Sequence, residues 1–361
     1  MQPAVLFRAR HGTRLDAVVT LIAEKAERLV AFAEEEVASG RLPAYSLALA
    51  LEGEVVLRSG SEARFTTYSV TKAVTAAAAW LHLDPAQRVA DVLPSFENKP
   101  DVRVEHLLTH TAGFPRAKLS FEEAADPELR AERFASWQTS WVPGTQMEYH
   151  PTSAHWVVAS MVEALTGQAF RDVVRERVID PLGLEALRLG EDVPALDVVH
   201  VGEATDRPDP LRADPEWLLR FNEPAVRVLG IPGAGAVSTA ADVALLYQHL
   251  LHDPKGLWSP EVLLDGTQRV RFDVIDPWTT VPANRTLGLT VAGDDGKGAM
   301  RQFGRAAGPR AFGASGLGGQ IAWADPDSGL SFCFLTNGLE RDQVASFVRA
   351  NKLSTYAARC V

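Results

Sequence analysis

The chain has 361 residues, 46% hydrophobic and 23% charged, the composition of a folded globular protein with a sizeable core. Its formal net charge of −10 argues against nucleic acid or an anionic membrane surface as a partner. Only two cysteines are present, Cys333 in an apolar strand-like run and Cys360 next to the C-terminus. This excludes a disulfide-built scaffold and leads us to expect one buried thiol, one free tail thiol and a reducing, cytoplasmic setting.

The opening residues, "MQPAVLFRARHGTR", lack the apolar core of a signal peptide, and no apolar run reaches membrane-spanning length, so no membrane partner is expected. Residues 14–39 carry apolar positions at helical spacing with charges between them and predict an amphipathic helix. "AYSLALALEGEVVLRSG" follows, two apolar runs around Glu52-Gly53-Glu54, and predicts a β-hairpin. "SAHWVVASMVEALTG" and "STAADVALLYQHLL" predict helices, the first ended by Gly167 and the second capped by Ser238 or Thr239. Residues 190–228 are rich in Pro and Asp with weak periodicity and predict a long irregular excursion. "GQIAWADPDSGLSFCFLTNG" predicts a second hairpin closed at Gly329, and a C-terminal helix comes after it. The expected fold is mixed α/β (α+β). A sheet domain from residues 1–74 and 285–361 is flanked by the terminal helices, and a mainly helical domain, 75–284, is inserted into it. The strands are expected near 40–60 and 285–340.

Three stretches carry candidate chemistry. In "RFTTYSVTKAVTAAAAWL", Ser69 stands at a helix start with Lys72 one turn on, on the same face. That spacing suits a nucleophile and its base, with the alanines burying the turn and depressing the ammonium pKa. It equally suits a serine cap followed by a surface lysine. Tyr149 lies in a loop before a helix, where a phenol can shuttle protons beside a cation or simply pack. The glycines of "AFGASGLGGQIAWADP" let a substrate lie against a strand edge whose free N–H groups stabilise an oxyanion, or they form only a turn. Two further patterns are weaker. His106 and His110 have zinc-ligand spacing but lack the glutamate of H-E-x-x-H, and no metal is expected there. "GAGAVS" is a near miss to a dinucleotide fingerprint, and no G-x-S-x-G elbow is present.

Taken together, "YSVTK", "VEHLLTHTAGFP", "WVPGTQMEYHPTSAHWVVASMVEALTG", "VIDPLGL", "GIPGAGAVSTAADVALL" and "GASGLGGQIAWADPDSGLSFCFLTN" occur in the order of a known family. The chain resembles the serine β-lactamase and penicillin-binding-protein superfamily from about residue 41 to about 340. Within it, the class C-like branch that includes the family VIII esterases is the nearer match. The resemblance implies a β-lactamase-like fold, Ser69 as acylated nucleophile, Lys72 as general base and Tyr149 as proton shuttle. It also implies an oxyanion hole from the backbone N–H groups of Ser69 and Leu317, and no cofactor. Two departures fall on substrate-binding positions. Pro151 replaces the family's asparagine, and Ala314-Ser315-Gly316 begins without the family's lysine or histidine. An arginine from 301–310 is the alternative source of a cation. A small-molecule ester or amide is the expected partner, with simple esters favoured. A β-lactamase, D-amino-acid peptidase or amidase, or acyltransferase is the alternative on the same fold, and a non-catalytic ligand-binding or sensor protein is the alternative outside enzymes. Nothing in the sequence sets an oligomeric state.

Overall fold

The computed structural model describes residues 20–203, 214–272 and 274–361. The strands in chain order are β1 (Tyr45–Leu51), β2 (Glu54–Gly60), β3 (Phe65–Thr66), β4 (Arg188–Leu189), β5 (Val199–Val201) and β6 (Ala236–Ser238). They continue with β7 (Thr290–Val291), β8 (Phe312–Ser315), β9 (Ile321–Ala324), β10 (Ser331–Thr336) and β11 (Gly338–Glu340). Six of them form one antiparallel sheet, ordered β2-β1-β10-β9-β8-β7. The two expected hairpins are therefore its centre, joined by β1 against β10 from Tyr45↔Thr336 to Ala50↔Ser331.

Every residue of β1 is buried, which explains its unbroken apolar run: the strand is covered on both faces. Leu47 and Leu49 join Phe332 and Phe334 in the core beneath the terminal helices Ala23–Ala38 and Gln343–Ala357. Their neighbours Ala48 and Ala50 face the other way, with Cys333 and Leu335, into the core shared with helices Thr71–Ala79 and Ala240–His252. That side takes small side chains because a helix lies directly on it. Edge strand β2 alternates instead between exposed and half-buried. The turn between β1 and β2 uses Glu52 and Gly53, both at positive φ, as a two-residue hairpin requires.

Gly167 caps its helix at φ 71°, and the Thr239 hydroxyl accepts from Asp242 N–H, as expected. Two expectations need correction. The N-terminal helix begins at Ala23, and residues 14–19 lie outside the described residues. The 190–228 excursion contains β5 and the short helices Pro215–Leu219 and Pro224–Leu229, with 204–213 outside the described residues. The thiols of Cys333 and Cys360 are both free, as expected, and both are buried.

A buried ionic link ties the terminal helices to β11, the strand packed behind the glycine-rich turn. Arg349 donates to Glu36 at 2.7 Å and to Glu340 of β11 at 2.9 Å, and Arg41 reaches Glu36 at 2.9 Å. Burial alone would raise the Glu36 pKa, but the hydrogen bonds from Arg41 and Arg349 hold it below the usual carboxylate range. Its stabilisation is present above the unfolded carboxyl pKa, about 4.3, and is lost as pH falls through the lowered folded value. Arg349→Met strands the buried Glu340 carboxylate and leaves Glu36 with Arg41 alone, and should cost about 3 kcal/mol in denaturant unfolding at neutral pH. Acidification should narrow that gap as Glu36 takes up its proton.

Candidate active site

Ser69 is flanked by Tyr68 and Val70, both part of the core shared with the helices Thr71–Ala79 and Ala240–His252. After β3 the chain makes a single turn, Tyr68–Val70, and runs directly into the helix Thr71–Ala79. All nine residues of that helix are buried, which its run of alanines permits. Tyr68 takes a positive φ of 43°, a conformation that non-glycine residues adopt only where surroundings enforce it. The enforcement is visible. Thr67 N–H donates to the Ala236 carbonyl at 2.9 Å, and Thr71 Oγ1 accepts from Ala236 N–H at 3.1 Å. The Tyr68 hydroxyl donates to the Leu218 carbonyl at 3.3 Å and its ring packs on Phe221. The 190–228 excursion thus braces the residue next to Ser69.

Lys72 is 2% exposed, and its Nζ has three acceptors: the Gly233 carbonyl at 2.7 Å, the Pro151 carbonyl at 2.9 Å and Ser69 Oγ at 2.9 Å. Two directions of the amine are therefore committed to backbone carbonyls, and the third aims at Ser69. In the ammonium form that third direction is an N–H; in the neutral form it is the lone pair. Burial lowers the Lys72 pKa and favours the neutral amine. Tyr149 completes the set, its hydroxyl donating to Ser69 Oγ at 2.7 Å. Burial would raise the phenol pKa, but the charge of Lys72, the hydrogen bond to Ser69 and the charge of Arg285 bring it below its ordinary value.

Behind Tyr149 stand three histidines that sequence reasoning did not place. The His110 ring lies 4.5 Å from the Tyr149 ring, and its Nδ1 accepts from His150 N–H at 3.1 Å. His150 Nε2 accepts from Phe114 N–H while Nδ1 faces the Glu148 carbonyl at 2.7 Å, which sets the neutral Nδ1–H tautomer. Burial drives His150 down to about 3 and holds His110 and His155 well below the usual histidine range. His106 points elsewhere: its Nδ1 accepts from Arg103 N–H and its ring lies against Phe272.

The glycine-rich stretch closes the opposite side. β8 ends with Ala314 and Ser315, paired with Ala322 and Ile321 of β9. A Cβ on Gly316 would stand 2.9 Å from the Thr67 carbonyl and 3.1 Å from Ser69 N, so this backbone lies directly against that of Ser69. Leu317 opens the next turn, Leu317–Gly319. Buried Gln320, also unforeseen, ties the turn down: its Nε2 donates to the Thr66 and Thr336 carbonyls at 3.1 and 2.6 Å. Ser69, Lys72, Tyr149, Pro151 and Gly316 are thus brought together. Two of the three arginines in the 301–310 stretch expected as alternative cations are committed elsewhere. Arg301 is bound to Asp295 and to the Ala292 and Pro282 carbonyls, and Arg310 pairs with Asp327. The cation that does stand near Tyr149 is Arg285.

The β-lactamase family model matches residues 29–357, and the chain belongs to that family. Among sequence relatives, the esterase/beta-lactamase LipL of Mycobacterium tuberculosis is 26% identical over 313 residues, covering 75% of this chain and 68% of LipL. Penicillin-binding protein 4 of Amycolatopsis lactamdurans is 32% identical over 231 residues, covering 60% of this chain and 56% of that protein. This chain thus spans between about half and two thirds of their length. A family VIII carboxylesterase crystal structure superposes with a TM-score of 0.75 at 22% identity, covering 95% of this chain and 99% of the other. At that identity the likeness concerns the fold. Among the described residues, no helix is long and apolar enough to cross a membrane.

Because the atoms facing Gly316 are backbone, they cannot swing aside. Gly316→Ala should lower kcat for a short p-nitrophenyl ester by roughly a hundredfold, the scale of losing one oxyanion donor, and should lower the melting temperature as well.

Proposed function

We propose that this protein is a serine esterase that works through an acyl-enzyme on Ser69. The observation that carries the reading is the convergence of Lys72 Nζ, at 2.9 Å, and the Tyr149 hydroxyl, at 2.7 Å, on one serine oxygen at the edge of a glycine-rich turn. The site lies where the proposed sheet part, 1–74 and 285–361, meets the helical part, 75–284. The cytoplasmic setting expected from the sequence stays part of this proposal.

In the proposed reaction, Ser69 Oγ attacks the ester carbonyl carbon while its proton passes to the lone pair of neutral Lys72. The carbonyl oxygen, now carrying the charge, is met by the N–H groups of Ser69 and Leu317. Collapse breaks the bond to the alcohol oxygen, which takes a proton from Tyr149, and the Lys72 ammonium restores it. Water then repeats the sequence on the acyl group, releasing the acid and free Ser69. The chain's own residues supply every proton transfer, which a purely binding protein would not need.

Specificity follows from what the site omits. Ala314 offers no cation to a β-lactam or peptide carboxylate, and Pro151 has no side-chain amide; its carbonyl is occupied by Lys72. One missing charge-assisted hydrogen bond is worth about 1.5–3 kcal/mol, a factor of roughly ten to more than a hundred in kcat/KM. A panel of ester, amide and β-lactam substrates should therefore show small uncharged esters turned over several orders of magnitude faster than penicillins. Efficient penicillin hydrolysis would contradict the reading.

Ser69→Ala should remain folded and lose ester hydrolysis by several orders of magnitude. Lys72→Ala, Tyr149→Phe and the double variant should show similar residual rates, because the two groups form one proton-transfer unit. Fully additive losses would mean that they act separately.

A further inference from the structure

Arg285 lies in the segment leading to β7, and its backbone is fixed from two sides. It bridges to Phe272 and Thr290, and its carbonyl accepts from Arg271 N–H at 2.9 Å. Its guanidinium carbon sits 5.7 Å from the centroid of the Tyr149 ring, and Lys72 Nζ lies 5.0 Å from the same centroid. Arg285 Nε is sealed from solvent without a hydrogen-bond partner, and no ion pair to the guanidinium exists among the described residues. Asp276, the acidic residue whose charge acts on it, accepts the Trp278 N–H at 2.8 Å instead. The other titratable groups around the phenol, His110, His150 and His155, are neutral by burial, so they neither compensate the guanidinium nor share its role.

An unpaired cation in a partly dry site is costly to hold, and packing alone would be served better by an uncharged residue. What the charge does here is set the field at Tyr149. It makes the phenolate easier to form, and it opposes a proton on Lys72.

We infer that Arg285 is a positioning residue of the proton relay: its fixed charge beside the Tyr149 ring stabilises the phenolate formed when Tyr149 protonates the leaving alcohol. The inference rests on the esterase reading for its kinetic consequence, but not for its effect on the phenol. Lys72 and Tyr149 titrate as a coupled pair, so removing the cation raises the apparent pKa of the pair. The ascending limb of the kcat–pH profile then moves to higher pH.

The test compares Arg285→Gln and Arg285→Lys with the parent enzyme. On a neutral p-nitrophenyl ester, Arg285→Gln should lose roughly tenfold or more in kcat at neutral pH with KM little changed. Its ascending limb should shift upward by about one pH unit, a tenfold change in proton affinity. Arg285→Lys should restore most of both. The Tyr149 phenolate, read by ultraviolet absorbance against Tyr149→Phe, should shift the same way in the absence of any substrate. This last measurement judges the inference even if the protein proves inactive on esters, a result that would sink the esterase reading alone. A phenolate titration unmoved in Arg285→Gln would overturn the inference. So would a loss confined to KM for anionic substrates, which would make Arg285 a receptor for a substrate charge. A melting temperature lowered alike in both variants would show a structural role and overturn it as well.

Discussion

The rest of the site depends on the burial of one amine. Lys72 is held in the first turn of a fully buried, alanine-rich helix, and two backbone carbonyls, of Pro151 and Gly233, fix its orientation before any substrate arrives. The remaining direction of the amine can only face Ser69. A surface lysine at the same sequence spacing would be a solvated ammonium with three mobile N–H donors, unable to accept a proton near neutrality. Burial therefore does two jobs at once: it lowers the pKa, and it forces the lone pair toward the nucleophile. The alanines, the glycine at 233 and the proline at 151 all serve that arrangement. A Cβ on Gly233 would stand 2.8 Å from the Pro151 carbonyl and 3.4 Å from the amine itself.

The fold explains how residues so far apart in the chain reach one point. The central sheet brings the two terminal hairpins side by side. β8 and the turn after it then lie against the segment between β3 and the Ser69 helix, with Gln320 bridging them. Tyr149 comes from the helical region and is backed by neutral histidines, so its loop is rigid without adding charge. Among the described residues, the cations that act on Tyr149 are Arg285 and, once it has taken a proton, Lys72, each held in a position fixed by its backbone or by its acceptors.

Much of this was legible in the sequence, for identifiable reasons. The central strands alternate between leucine or phenylalanine on one face and alanine, cysteine or leucine on the other. That pattern made both hairpins readable as apolar runs bounded by turn residues. Ser69, Lys72 and Tyr149 stood out only through the order of six motifs shared with the family, since each alone suited capping or packing as well. What escaped reading depends on backbone or on distant neighbours. Pro151 looked like a lost amide, whereas its carbonyl is what orients Lys72. Arg285, in "TVPANRTLGL", carries no motif, and only the folding of its segment onto Tyr149 gives it a role. β3, β4 and β7 are two residues each, too short to show any periodicity.

The central claim is that Ser69 is a nucleophile activated in place by a neutral lysine. Intact-protein and peptide mass spectrometry after brief exposure to an active-site-directed phosphonate tests it most directly. The account predicts one adduct per chain, located on Ser69, formed rapidly in the parent protein and very slowly in Lys72→Met. An adduct on another residue, or labelling of Ser69 at the same rate without the lysine, would contradict it.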